Sequence, residues 1–300
     1  MMTQSHQASA DHPRGLDDLL AFLSAHGGRF TNFELDTLRE RIDELVNYAA
    51  AVGVMGKSGA GKSALCNALF GQEATEVSAV DPCTRHPKEI DLACRYNKGI
   101  SLIDVPGVGE SIARDKEYAS LYASLLPELD LILWVIKADD RALHTDEQVY
   151  QHIIKPYTDQ HGIPVLFVIN QLDKIEPSRE WDWERQRPSG QQLYHLQLKT
   201  LRIVQRFAIS PLQVCAVSAS TGYGLATLIE AVIKALPAEK RWGIARETQS
   251  ACLSPLALEE AEAGLWASIC SVIRDLLQER AAWLLDKVRT LLNRLRSWID

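Results

Sequence analysis

Short apolar runs alternate with helix-like segments through the middle of this chain of 300 residues. Apolar runs of this kind that end at polar turns predict buried strands. The predicted strands are 50–55, 89–96, 100–105, 129–136, 163–169 and 212–217. The predicted helices are 64–70, 145–154, 191–207 and 225–235, and the charged segment 176–190 predicts a surface insertion. This alternation predicts an α/β fold with three layers, in which a mostly parallel sheet has helices on both faces.

Two local features refine this prediction. The turn Asn97-Lys98-Gly99 lies between the second and third predicted strands and indicates that they pair as a hairpin. Pro156 predicts that helix 145–154 ends before it, because proline lacks the backbone N–H that a helix interior requires.

The two ends of the chain differ from the middle. Residues 1–14 are polar and predict a disordered tail, and 15–49 predict two helices, the second of which begins at the capping-box pattern Thr31-Asn32-Phe33-Glu34. From about residue 239 the pattern is helical only. The predicted organisation is therefore a tail at 1–14, N-terminal helices at 15–49, an α/β domain at 50–238 and a C-terminal helical region at 239–300.

An apolar stripe runs along the C-terminal region. It consists of Trp266, Cys270, Ile273, Leu277, Ala281, Leu284, Val288, Leu291, Leu295 and Trp298. The steps of three and four residues are close to a heptad, and the last turns are basic. Three interpretations stay open: packing on the protein's own core or as a helical hairpin with the N-terminal helices, self-association as a helical bundle in a homodimer, and peripheral contact of 265–300 with an anionic membrane.

Composition narrows the range of functions. A net charge of −7 argues against a dedicated nucleic-acid-binding protein. The six cysteines contain no C-x-x-C pair, which favours reduced thiols in the cytoplasm. No apolar run approaches the ~18–20 residues of a membrane span, and no signal peptide is visible at the start.

The segment 56–63 carries the strongest chemical pattern. It reads GKSGAGKS and fits G-x-x-x-x-G-K-[ST], the loop whose backbone N–H groups hold the phosphates of a nucleotide. It lies between a predicted strand and a predicted helix, as such a loop requires. Lys62 would reach the β- and γ-phosphates, and the hydroxyl of Ser63 would hold Mg²⁺. The candidate phosphate-binding residues are Gly56, Lys57, Ser58, Gly59, Ala60, Gly61, Lys62, Ser63 and Ala64.

Further polar residues follow later predicted strands, where ligands of parallel sheets bind. The carboxylate of Asp104 can hold a Mg²⁺-bound water, and the N–H of Gly107 can bond the γ-phosphate. The hydroxyl of Thr84 can also bind Mg²⁺. Asp173 can accept hydrogen bonds from N1–H and the exocyclic amine of guanine, which adenine does not offer. The candidate base-binding residues are Asn170, Gln171, Asp173, Lys174, Ser218, Ala219 and Ser220.

The ordered motifs GKSGAGKS, Thr84, DVPG, NQLD and SAS resemble those of the Era/TrmE-like small GTPases over about residues 45–236. More narrowly, the chain resembles small bacterial, often prophage-encoded GTPases described as 50S ribosome-binding GTPases. The resemblance implies hydrolysis of GTP to GDP and phosphate with Mg²⁺, a switch role and a ribosomal or RNA partner. It implies catalysis by Lys62, Thr84 and Gly107. The cysteines predict a cytoplasmic location, and the basic stripe at 265–300 adds peripheral contact at the inner membrane as an alternative.

Four positions depart from the family pattern. Gly59 replaces an asparagine that helps hold potassium in Era- and TrmE-like members, and Val108 replaces a water-positioning glutamine. Gln171 and Ser220 replace two lysines that pack beside the base. The departures at Gly59 and Val108 predict slow intrinsic hydrolysis that a partner or dimerisation accelerates.

Overall fold

The computed structural model describes residues 16–25, 32–48, 50–71, 90–92, 100–102 and 126–277. Six strands of this part form one sheet: β1 (Val52–Met55), β2 (Ile90–Leu92), β3 (Ile100–Leu102), β4 (Leu131–Lys137), β5 (Val165–Asn170) and β6 (Val214–Ala216). Their order in the sheet is β2-β3-β1-β4-β5-β6. Only the β2–β3 pair is antiparallel, as the hairpin prediction requires. The predicted α/β fold with helical extensions is confirmed.

Helices precede, connect and follow these strands. The described helices are α1 (Leu16–Ala25), α2 (Asn32–Val46), α3 (Lys62–Phe70), α4 (His144–Val149), α5 (Lys155–His161), α6 (Gly190–Phe207), α7 (Leu225–Ala235), α8 (Arg241–Glu247) and α9 (Pro255–Leu277). Single 3-10 turns lie at Leu126–Glu128, Leu172–Lys174, Ser178–Glu180, Pro211–Gln213 and Ala238–Lys240. Among the described residues, no helix has the length and apolar character needed to cross a membrane.

Strands β4 and β5 are buried along nearly their whole length, because helices cover both faces of a parallel sheet. Alternate residues therefore enter two separate core layers. In one layer Trp134 and Phe167 meet Tyr150 and Phe207, and the ring centroids of Phe167 and Phe207 are 4.9 Å apart. This aromatic cluster holds the centre of the sheet rigid beneath the strand ends that carry the candidate site.

The prediction that Pro156 ends the helix is wrong. Helix α4 passes directly into a π-helical turn at Tyr150–Ile154 and continues as α5, with Pro156 in the first turn of α5. The π turn widens the helix just before the proline, where its ring would otherwise clash with the preceding turn. The helix ends instead at Gly162, which takes the left-handed conformation of a C-terminal cap.

The chain divides into two compact units. Unit 1 comprises 1–49, 237–246 and 255–300, and unit 2 comprises 50–236 and 247–254. Within unit 1 the apolar faces of α1, α2, α8 and α9 form a single core. Its buried residues are Leu16, Leu19, Leu38, Ile42, Val46, Trp242, Leu265, Ile269 and Ile273.

The described part of the C-terminal stripe thus packs against the protein's own N-terminal helices. The sequence placed Trp266, Cys270 and Ile273 on this stripe, and Ile273 is fully buried, but Trp266 and Cys270 are only partly buried. Leu265 and Ile269 are fully buried in their place, because spacing alone leaves the rotation of a helix free by one residue. Predictions for residues 1–14, for Thr31 and for 278–300 lie outside the described residues.

Candidate nucleotide-binding site

The segment 56–61 forms a tight loop between β1 and α3. Gly56 has φ 142°, and a Cβ atom built there would lie 2.2 Å from the carbonyl oxygen of Val135. Gly61 has φ 85°, and a Cβ there would lie 2.6 Å from Nδ2 of Asn170. A Cβ on Gly59 would meet no atom within 4 Å, so the middle of the loop borders open space. The loop is therefore closely packed at both ends and open at its centre, as a phosphate cradle must be.

Lys62 begins helix α3 and folds back across the loop. Its ammonium donates to the carbonyl oxygens of Gly56 at 2.7 Å and Lys57 at 3.0 Å, and the side chain is buried. A positive charge at this place, together with the N-terminal end of the α3 dipole, favours an anion over the loop. Ser63 follows as an exposed residue of the first turn, with a hydroxyl oxygen of the kind that Mg²⁺ binds.

The other end of α3 is also fixed. The N–H of Gly71 caps the helix by donating to Asn67 O at 3.0 Å. Gln249 adds two bonds, from its N–H to Leu69 O and from its side-chain amide to Asn67 O, both at 2.7 Å. These bonds satisfy carbonyl groups that have no partner within the helix and hold α3 beneath the loop.

Asn170 connects the phosphate loop with the segment after β6. Its side chain is fully buried at the end of β5. The amide nitrogen donates to Ala60 O at 3.0 Å and to Gly61 O at 3.2 Å, and the amide oxygen accepts from the N–H of Ala219 at 3.2 Å. Three segments far apart in the sequence are joined by this one side chain.

Asp173 and Ser218 form the second buried pair of the site. The hydroxyl of Ser218 donates to Oδ1 of Asp173 at 2.6 Å and lies 3.1 Å from the hydroxyl of Ser220. Asp173 lies in the 3-10 turn after β5, and Ser218 comes directly after the end of β6. A short hydrogen bond to a carboxylate fixes the direction of its two oxygens. A carboxylate that accepts hydrogen bonds from the edge of a base must be fixed in this way.

Gln171 turns away from its own strand toward the loop. It has φ 60°, and its side-chain amide donates to Gly59 O at 2.9 Å. The ammonium of Lys174 donates to the amide oxygen of Gln171 at 3.0 Å. Gln171 therefore supports the glycine at the open centre of the loop, a contact that the sequence did not predict.

A group of charges that the sequence did not reveal lies beside the loop. The ammonium of Lys57 is 2.7 Å from Oδ2 of Asp146 and 3.3 Å from Oδ2 of Asp140, and it also donates to the carbonyl of Ala142. Burial alone would lower the pKa of Lys57, but the two carboxylates outweigh it and raise that pKa. Burial raises the pKa of Asp146, and Lys57 offsets only part of this rise. A cavity of about 500 Å³ adjoins these charges and is lined by Lys57, Ser58, Ala60, Val135, Ile136, Lys137, Asp139, Asp140, Arg141, Ala142 and Asp146.

The structure thus gathers the predicted residues 56–64, 170–174 and 218–220 at the carboxyl ends of β1, β5 and β6. Three predicted residues lie outside the described part: Thr84, Asp104 and Gly107. Val108 lies outside it as well. Asp140 and Asp146 were missed because they belong to no phosphate or base motif, although they closely follow the predicted strand 129–136.

Comparison with known proteins places this geometry in a family. Residues 51–171 match the family model described as 50S ribosome-binding GTPase. The chain is 40% identical to the uncharacterized protein YkfA of Escherichia coli K12 over 241 residues, which cover 79% of this chain and 80% of YkfA. It is 39% identical to YfjP of the same organism over 256 residues, covering 85% and 82% of the two chains. Identity to the GTPase Era of Aquifex aeolicus is 34% over 134 residues, which cover 43% of this chain and 42% of Era.

Proposed function

Because the chain belongs to the family described as 50S ribosome-binding GTPases and is a P-loop enzyme that hydrolyses GTP, we propose that two sets of its residues bind the nucleotide. The ligands of the protein are GTP, GDP and Mg²⁺. Residues 56–64 hold the phosphates, and residues 170–174 with 218–220 hold the guanine. The open loop centre at Gly59 and the ammonium of Lys62 above it suit a chain of phosphates.

The pairing of Asp173 with Ser218 is the observation that carries the guanine assignment. Both side chains are buried, and the bond of 2.6 Å between them fixes the carboxylate at the mouth of the site. A fixed carboxylate accepts from the two adjacent N–H groups on the edge of guanine. Adenine offers an acceptor in that position, and its lone pair would face the carboxylate.

Hydrolysis needs charge neutralisation and a placed water molecule. Lys62 would neutralise charge on the β- and γ-phosphates, and Ser63, Thr84 and Asp104 would hold Mg²⁺, which would draw further charge from the phosphates. The N–H of Gly107 would bond the γ-phosphate. Water attacks the γ-phosphorus, the bond to the β-phosphate oxygen breaks, and GDP and phosphate leave. The side chain of Val108 has no polar atom to orient that water, so we expect slow turnover by the isolated protein.

Exchange of one atom in Asp173 tests the base assignment. Asp173→Asn replaces one carboxylate oxygen with a donor, which suits the C2 carbonyl of xanthine and opposes the exocyclic amine of guanine. We expect GTP affinity to fall at least about a hundredfold and XTP affinity to rise, measured by displacement of a fluorescent nucleotide. The control is Asp159→Asn, which removes a carboxylate from an exposed ion pair with Lys155. Unchanged GTP affinity in Asp173→Asn would refute the assignment.

We also propose a partner for the switch. The family description favours a ribosomal partner that the GTP-bound form selects. Cosedimentation with ribosomal subunits in GTP and in GDP tests this, and equal amounts in both states would refute it. Flotation with anionic vesicles and sedimentation equilibrium in the same two states test the membrane and homodimer alternatives.

A further inference from the structure

Lys57 occupies the first corner of the phosphate loop. Its carbonyl oxygen accepts from the N–H of Ala60 at 3.2 Å and from the ammonium of Lys62 at 3.0 Å. The backbone of Lys57 therefore sets both the turn of the loop and the place of the lysine that crosses it. A movement of the Lys57 backbone would therefore displace both the N–H of Ala60 and the ammonium of Lys62.

The side chain of Lys57 leaves the loop and joins the segment after β4. Its ammonium lies 2.7 Å from Asp146, which is only 4% exposed at the start of α4, and 3.3 Å from Asp140. Asp140 is held in turn, because its Oδ1 accepts from the N–H of Ala142 at 2.8 Å and its carbonyl accepts from Lys199. The anchor for Lys57 thus rests on a helix, a turn and a neighbouring helix.

We infer that Lys57, Asp140 and Asp146 act as a charge clamp. The charge clamp fixes the first corner of the phosphate loop to the segment after β4, and it sets the affinity for GTP and GDP alike although none of its three side chains touches either nucleotide. Lys57 is then a positioning residue. This inference rests on the proposed function, because it assumes that the loop binds nucleotide phosphates.

The composition of the loop explains why a clamp is needed. Three of the six residues at 56–61 are glycines, and each of them has a positive φ. Such a backbone has many alternative conformations when it is free, and binding must then order it. An ion pair with a buried carboxylate orders the loop before the nucleotide arrives, and preorganisation of this kind raises affinity.

A competing explanation is that Lys57 contacts the γ-phosphate directly once GTP is bound. The two explanations predict opposite effects for Asp146→Asn. Under the charge clamp, the loss of the carboxylate loosens the loop and weakens both nucleotides. Under direct contact, the same change releases the ammonium toward the γ-phosphate and strengthens GTP alone.

The experiment measures the affinity of the full-length protein for a fluorescent GDP and a non-hydrolysable fluorescent GTP analogue. We expect Lys57→Met and Asp146→Asn each to weaken both ligands by about tenfold, the scale of losing one well-placed ion pair near a buried carboxylate. We expect Lys57→Arg to retain most of the affinity, and KM for GTP to rise in the weakened variants while kcat changes little. Circular dichroism shows whether each variant is folded.

The matched control is Lys155→Met, which removes a half-buried lysine paired with Asp159 at 2.8 Å. It should leave both affinities unchanged. Wild-type affinity in Lys57→Met, a loss confined to GTP, or tighter GTP binding by Asp146→Asn would each overturn the inference. If Lys57→Met does not fold, Asp146→Asn alone decides, because an amide keeps the shape of the carboxyl group. Failure of the wild-type protein to bind either nucleotide would instead refute the proposed function.

Discussion

Removal of the Asn170 side chain should lower both the stability of the protein and its affinity for nucleotide. Its amide makes three hydrogen bonds, two to carbonyls of the phosphate loop and one from the segment after β6. In Asn170→Ala the groups at Ala60, Gly61 and Ala219 lose this partner. The Asn170 side chain that makes these three bonds is fully buried, so water does not readily replace its amide in the variant.

The number and lengths of these hydrogen bonds set the expected loss of stability. A typical buried hydrogen bond contributes about 1 kcal/mol net, and each group left without a partner costs somewhat more. Because two of the bonds are 3.2 Å long, they should contribute less than the third. We therefore expect Asn170→Ala to lower the free energy of unfolding by about 2–4 kcal/mol. The freed loop should also lower GDP affinity, by at least about tenfold.

Urea unfolding without nucleotide, followed by circular dichroism, measures the first quantity, and titration with a fluorescent GDP measures the second. Gln213→Ala is the matched control, because the amide of Gln213 donates to Val165 O at 3.1 Å and accepts from the N–H of Ser210 at 3.0 Å. Val165 begins β5, whereas Asn170 ends it. Gln213→Ala should thus lose stability but keep its GDP affinity. If both variants lost affinity equally, the role of Asn170 as a link between the loop and the base segment would be wrong.

Two further predictions concern the core and the thiols. Phe167→Ala should lower the free energy of unfolding by about 3–5 kcal/mol in the same urea assay, because it empties the centre of the aromatic cluster. Leu212→Ala, at a side chain that is 90% exposed, should change it by less than about 0.5 kcal/mol. Burial raises the pKa of Cys215 to about 11, so little thiolate forms at pH 8. Alkylation of Cys215, followed by peptide mass spectrometry, should be about a hundredfold slower in the folded protein than in urea, and equal rates would contradict its burial.

The strands and the phosphate loop could be predicted from short-range information. Continuous apolar runs predicted β4 and β5 to within two residues at each end, since a strand buried on both faces has no room for polar side chains. The pattern at 56–63 predicted the loop because glycines and a lysine in that order are typical of a backbone that curls around phosphates. The order of polar segments along the chain predicted that 170–174 and 218–220 meet the loop, since the carboxyl ends of parallel strands share one edge.

Other parts of the site depended on distances that no pattern contains. Lys57 reaches Asp140 and Asp146 only because β4 is the neighbour of β1 in the sheet. The bonds from Gln171 to Gly59 and from Asn170 to the loop likewise required the position of β5. An ion pair between residues far apart in sequence produces no sequence pattern, so the loop motif alone predicted only a phosphate-binding role for Lys57.

Helix details were decided in the same way. The sequence predicted helices within 241–277 and at 145–154, because local periodicity and propensity are enough for both. Only the tertiary structure decided that Leu265 and Ile269 face the core beside Ile273, and that a π turn carries the helix past Pro156. Periodicity states that a helix has an apolar face, whereas the rotation of that face and the tolerance of a proline follow from packing against the neighbouring elements.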